Sequence, residues 1–231
     1  MRPRALDLFC KAGGASMGLH NAGFDVTGVD IEKQPNYPFT FVQGDALAPP
    51  VDLGSFDLIW ASPPCQSYVN AGLKVLANKS RKVSEPKPML IEPVRALLAS
   101  TGALTVIENV PPAPLRRDLV LDGGMFGLNT YRQRVFETNF AVHQPRKTRA
   151  FGPESRPGSV TLAGNGSGRV GRVYFSAKGE KRLRRGGTVD EWKRAIGVYW
   201  MTRDELKECI PPAYGLFIGT LALAHMQRLA A

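Results

Sequence analysis

The first 110 residues alternate short apolar runs with segments of helical spacing, and this alternation limits the chain to few folds. "ALDLF" (5–9) ends in the glycine-rich turn "CKAGG", and "ASMGLHNAG" (15–23) follows with helical spacing and a glycine stop. "FDVTGVD" (24–30), "FTFVQGD" (39–45), "FDLIWAS" (56–62) and "ALTVIEN" (103–109) read as further strands, with a proline-initiated helix over 88–100. Short apolar strands separated by helices predict an α/β fold: a mostly parallel sheet with helices on both faces. Beyond Pro111 the pattern changes. "RVFETNF" (134–140) reads as another strand, and helical patterning returns over 189–197, 202–210 and 215–231, with Thr202 and Glu205 spaced as a capping box.

Between these parts the charge is uneven. The chain carries a net +10, and Arg146 to Arg185 holds eleven Lys or Arg against Glu154 and Glu180. Such a block suits a polyanion, because each neutralised phosphate releases counterions; a solvated surface segment is the plainer alternative. The expected organisation is an α/β domain over 1–140, a small basic, loop-rich region over 141–188, and C-terminal helices over 189–231 that complete the first domain. No apolar run is long enough to span a membrane, and "MRPRALDLFC" lacks a signal-peptide pattern. Cys10, Cys65 and Cys209 are odd in number and scattered, which argues for a reducing, cytoplasmic setting. No CxxC pair occurs, and His20, His143 and His225 are far apart, so no metal site is expected.

Ligands of open parallel sheets bind at the carboxyl ends of the strands. Phe9, Lys11, Gly13 and Gly14 follow the first strand, Asp30 ends the second, 21 residues beyond Phe9, and Asp45 follows the third. Glycines allow a sharp turn and close backbone approach; an acid at the position of Asp30 accepts from ribose hydroxyls; Asp45 is suited to an exocyclic amine. Together they point to an adenosine-bearing cofactor. The spacing leaves NAD and S-adenosylmethionine open, although the turn lacks the third glycine of a pyrophosphate site. At the end of the fourth strand Pro63 and Pro64 restrict the chain and present Cys65 rigidly, as a nucleophile or as an inert thiol.

"DLFCKAGG", "GVDI", "PPCQS", "VIENV" and "YRQRVFETNF" follow one another in the order of the C5-cytosine DNA methyltransferase motifs, and the chain resembles a short member of that family of the phage or prophage kind. The resemblance covers residues 5–140 well and 195–225 loosely. It implies a Rossmann-like class I methyltransferase fold and transfer of a methyl group from S-adenosylmethionine to C5 of a cytosine flipped out of double-stranded DNA. It makes Cys65 the nucleophile that adds to C6, Glu108 the group that bonds N3 and the amine, Arg134 the partner of the base's O2, and Arg132 a phosphate contact. Phe9, Gly13 and Gly14 would line the cofactor site with Pro64, Asp30 would bind ribose, Ile31 would pack on adenine, Asp45 would meet its amine, and Gly219 would match the family's closing motif. Residues 67–85 correspond to a mobile loop begun by Gln66 and Ser67, with Gly72 as a hinge or a plain loop glycine.

The chain departs from the family in four places. Lys11 stands where a small residue is usual: it points outward, pairs with a cofactor carboxylate, or reads an extra anionic group, which would make the donor carboxy-S-adenosylmethionine. Thr130 replaces a glutamine, and "AYGLFIGTLAL" lacks the closing motif's asparagine. Only about 75 residues separate Arg134 from the closing helix, so the DNA contacts are expected from Arg169, Arg172, Lys181, Arg182, Arg184 and Arg185 as well as Gln66 and Ser67. The chain is expected to act as a monomer in a bacterial or phage-infected cell. An RNA acceptor, and a non-enzymatic DNA-binding protein on a decayed scaffold, are the other readings.

Overall fold

The computed structural model describes residues 1–68, 88–146, 160, 162, 170–175, 181–185 and 187–231, with backbone alone for 170–175 and 181–185. Seven strands form one sheet: β1 (Arg4–Leu8), β2 (Asp25–Asp30), β3 (Thr40–Gln43), β4 (Leu58–Ala61), β5 (Leu104–Asn109), β6 (Leu119–Leu121) and β7 (Arg134–Thr138). Their order is β3-β2-β1-β4-β5-β7-β6. The first five are parallel, and β7 runs antiparallel to both β5 and β6. The order turns back between β1 and β4, which leaves a crevice at their carboxyl ends.

Side chains alternate faces along each strand, so apolar runs buried on both sides feed two separate cores. Ala5, Leu58, Trp60 and Val106 point to the face covered by α1 (Gly14–Ala22) and the last helix; Leu6, Leu8, Ile59 and Ile107 point to the face covered by α2 (Ile91–Ala99). The expected α/β fold with helices on both faces is what the chain adopts. Strand β6, three residues between Asp118 and Asp122, is too short to show in the sequence pattern.

Three helices follow: α3 (Val189–Ile196), α4 (Arg203–Glu208) and α5 (Pro212–Ala230). The Thr202–Glu205 capping box forms as read, and a second joins Thr188 to Glu191. Helix α5 starts with Pro212 at its first position, earlier than its apolar run suggests, because that position needs no backbone N–H. Helix α5 lies against α1 with backbone touching backbone. A Cβ on Gly18 would collide with the Pro212 carbonyl oxygen, and one on Gly215 would stand 2.5 Å from that of Ala15. Strands β8 (Val170–Phe175) and β9 (Lys181–Arg185) pair antiparallel as a ribbon outside the main sheet.

A candidate active site at the strand crevice

The crevice holds a cleft of about 640 Å³. Phe9, Lys11, Gly14, Asp30, Ile31, Asp45, Pro64, Cys65, Gln66, Glu108 and Arg134 all line it. The carboxyl ends of β1 to β5 and the start of β7 deliver them. β1 stops at Leu8, and the turn that follows is strained: Phe9 has φ 61° and Lys11 φ 46°, both in the left-handed region that favours glycine. Gly13, at φ 80°, closes the turn by donating to the Cys10 carbonyl at 3.0 Å and stands just behind the lining.

Asp30 is 3% exposed. Its carboxylate organises the turn, accepting from the backbone N–H groups of Lys11 and Glu32, each at 3.1 Å. Ile31 beside it is 67% exposed, an apolar side chain left uncovered on the cleft wall. Asp45 accepts from Leu47 N–H at 2.9 Å. Lys11 is already engaged: its ammonium lies 3.1 Å from Glu32 and 3.9 Å from Glu208. Its partners are thus the protein's own carboxylates.

On the other side of the crevice, Asn109 at the end of β5 donates to the Pro63 carbonyl at 2.8 Å and ties the proline turn to the strand that carries Glu108. That bond sets Cys65 and Glu108 on one wall. Glu108 is 5% exposed. Its Oε1 lies 2.9 Å from Arg134 Nε without the alignment of a hydrogen bond. Burial pushes the Glu108 carboxyl up, while Arg134, Arg132 and the Ser62 hydroxyl hold it back. Ser62 is itself oriented by the buried Trp60 indole, 2.7 Å away. Burial also raises the Cys65 thiol, against the pull of Arg134.

Two expected site residues are placed elsewhere. Arg132 does not face outward toward a phosphate. Its Nε and Nη2 donate to the carbonyls of Cys209 and Lys207 at 2.5 and 2.6 Å, so it clamps the end of α4. Burial and the neighbouring Arg134 push its guanidinium down to about 10. Gly219 lies inside the α1–α5 seam, where a Cβ would stand 2.9 Å from that of Ala22, and it is not part of the cleft. In both cases the resemblance pointed to the residue but not to the element it would pack against. Ser67 donates to the Pro88 carbonyl at 3.2 Å. Gly72, Arg169 and most of 67–85 lie outside the described residues; Arg172, Lys181, Arg182, Arg184 and Arg185 fall on β8 and β9.

The far wall was missed from sequence. Met201, Glu205, Lys207, Glu208, Cys209 and Ile210 line the cleft from α4 and its flanks. The Trp200 indole donates to the Ala12 carbonyl at 2.8 Å, Asn36 donates to both Glu205 oxygens at 3.0 and 3.1 Å, and Gly14 leaves room for the Ile210 carbonyl. No local pattern signals a contact across nearly two hundred residues. Asp7 was also missed, although a carboxylate in the middle of "ALDLF" is itself a signal, because a buried charge needs a reason. Among the described residues no cluster of His, Cys, Asp or Glu is placed to hold a metal ion, and no helix is long and apolar enough to cross a membrane.

Comparison with known proteins agrees with this geometry. Residues 4–115 match the model of the C-5 cytosine-specific DNA methylase family. The Type II methyltransferase M.AquIA of Picosynechococcus is 32% identical over 129 residues, 48% of this chain and 49% of that protein. M.AgeI of Thalassovita gelatinovora is 26% identical over 164 residues, 58% of this chain and 38% of its own length. The chain thus aligns with half or less of these relatives. Among solved structures, a candidate DNA modification methyltransferase encoded in an E. coli prophage superposes with a TM-score of 0.60 at 15% identity, covering 97% of this chain and 99% of its own. The S. pombe Dnmt2 methyltransferase gives 0.57 at 13% identity, with full coverage of both chains. These likenesses establish the class I methyltransferase fold. With the motifs in order along residues 4–115 and their side chains gathered on one cleft, that half of the chain is similar to the C-5 cytosine-specific DNA methylase family.

Proposed function

We propose that the protein is a DNA cytosine-C5 methyltransferase that uses S-adenosylmethionine and acts through a covalent bond from Cys65. The observation that carries this is the meeting of Cys65, Glu108 and Arg134 on the wall of a cleft whose other end is the strained turn at Phe9 and Lys11. The cleft fits the cofactor. Asp30 and Asp45 retain acceptor capacity for ribose hydroxyls and an amine, and the uncovered Ile31 offers a flat adenine an apolar surface. When bound, S-adenosylmethionine supplies a methyl group on a sulfonium sulfur. The chain's own residues prepare the acceptor. The Cys65 thiolate bonds to C6 of a cytosine withdrawn from the stack, and the ring's electron density moves to C5. Glu108, held toward its protonated form by burial, donates at N3 and stabilises the charge that develops there. Arg134 fixes Glu108 and offers its guanidinium to the base carbonyl. Loss of the C5 proton and cleavage of the Cys65–C6 bond return the thiolate.

The donor in this reading is unmodified S-adenosylmethionine, since the Lys11 ammonium is held by Glu32 and Glu208 and is not presented to an extra anionic group. Target recognition falls to 141–188, whose ribbon stands apart from the seven-stranded pairing. The catalytic unit joins 1–140 to 189–231. The setting is a reducing one with access to double-stranded DNA.

DNA containing 5-fluorocytosine tests the proposal, because fluorine at C5 blocks the final elimination. Incubation with S-adenosylmethionine should leave a denaturation-resistant protein–DNA complex, absent for Cys65→Ser. A matching RNA strand serves as the competing acceptor. Full trapping by the Cys65→Ser protein, or trapping on RNA alone, would overturn the assignment.

A further inference from the structure

Seven carboxylates and three cations line the cleft of a chain whose net charge is +10. The cations are committed to partners: Arg134 to Glu108, Lys11 to Glu32 and Glu208, Lys207 to Asp204. Among the described residues Asp7, Asp30 and Asp45 form no ion pair with Lys or Arg. Asp7 is the most buried of the cleft's carboxylates, at 1% exposure within the interior strand β1. Ser16 of α1 donates to its Oδ2, and the Ser16 hydroxyl in turn lies 2.8 Å from the Tyr37 hydroxyl. The other groups that act on it are Asp30 from β2, Glu108 from β5, and Cys10 and Tyr37, which press on it without a positive charge. A buried carboxylate among other acids is costly unless a cation arrives. The roles proposed above for the cleft leave Asp7 without a function.

We infer that Asp7 reads the charge on the cofactor sulfur, so that the cleft holds the sulfonium-bearing donor more tightly than the neutral thioether left after transfer. The inference rests on the cofactor assignment above. A donor that carries a fixed positive charge lowers the cost of ionising Asp7, and the proton passes to solvent as the donor binds. The thioether brings no charge, and Asp7 keeps its proton. Desolvation places the free-state carboxyl at about 7, where this exchange is near balance. Product release, which limits many enzymes, is then favoured by the transfer itself.

Calorimetry with S-adenosylmethionine and with S-adenosylhomocysteine, each run across about pH 5.5 to 8 in two buffers of different ionisation enthalpy, tests this without turnover. In the wild-type protein the affinity ratio of donor to product should rise by roughly tenfold or more with pH and level off above about 7, one pKa unit of coupling being tenfold. Proton release should accompany the donor below that level. The ligand's own amine titrates in every variant alike, so the difference between wild type and Asp7→Asn isolates the carboxylate: Asp7→Asn should lose the pH-dependent part. Ser16→Ala, which removes the donor that favours the ionised form, should move the rise to higher pH, and it keeps the question open to refutation should Asp7→Asn not fold. A ratio that follows the same pH course in wild type and in either variant overturns the inference while leaving the cofactor reading intact. Failure of both ligands to bind the wild-type protein removes the cofactor reading and the inference together.

Discussion

At the residue scale, burial in the cleft raises the Asp7 and Glu108 carboxyls and the Cys65 thiol. Asp7 is protonated more readily in the folded protein than in the unfolded chain, where its carboxyl has the usual value near 3.8. Between those values the native state holds the extra proton, so this group's contribution to stability falls as pH rises from about 4 to about 7. Asp7→Asn removes the cost and preserves an acceptor for Ser16. Thermal denaturation at pH 8 should show Asp7→Asn more stable than wild type by a few kcal/mol, roughly, with the gain shrinking toward pH 4. Cys65 is raised by burial, so less thiolate is present at neutral pH than for a free thiol. Cys10 and Cys209 are both buried, and alkylation by iodoacetamide therefore reads Cys65. Its rate should climb steadily above pH 8 and fall at any given pH in Arg134→Ala, which removes the charge that favours the thiolate; an unchanged rate would count against the Arg134–Cys65 coupling. Cys65, Glu108 and Arg134, which meet on the cleft wall, were legible because each is the chemically distinctive member of a short motif at a strand end. Arg132 was not, since its motif says nothing of the carbonyls at 207 and 209 that it clamps.

At the scale of elements, the packing of α1 on α5 depends on glycine for space. Gly18→Ala would drive a methyl into the Pro212 carbonyl and the Leu216 amide, both backbone groups with no rotamer to give way. It should cost about 3 kcal/mol or more in chemical denaturation. Gly102→Ala, whose methyl would meet nothing within 4 Å, should stay within about 0.5 kcal/mol of wild type. Thr202→Ala removes one half of a capping box and should cost about 1 kcal/mol. The parallel strands were readable because strands buried on both faces are apolar throughout. The capping box was readable from two residues. Strand β6 was not, as three residues carry no period, and the seam was not, because a glycine that admits a backbone looks in sequence like a glycine that admits a turn.

At the scale of the whole molecule, charge is divided: an acidic cleft in a strongly basic chain. The excess lies mostly in 146–185. If that block meets phosphates, the logarithm of the DNA affinity should fall linearly with that of salt, and replacing Arg182, Arg184 and Arg185 with Ala should reduce the slope by about 0.9 for each phosphate that is no longer neutralised. Fluorescence anisotropy from about 50 to 200 mM salt measures it. An unchanged slope would move the DNA-binding surface elsewhere.

The seam between the first helix and the last described one also sets a schedule for synthesis. Until Pro212 and the residues beyond it leave the ribosome, the glycine face of α1 lacks the helix it packs against, and the sheet face that α1 and α5 share is only partly covered. Translation therefore leaves one closing contact to a late step, and a chain stalled before Pro212 should be more sensitive to protease on the α1 side of the sheet than the full chain, while the core under α2 stays protected. In the cell such a chain would stand longer in the care of chaperones than one whose neighbouring helices pack in the order they are made.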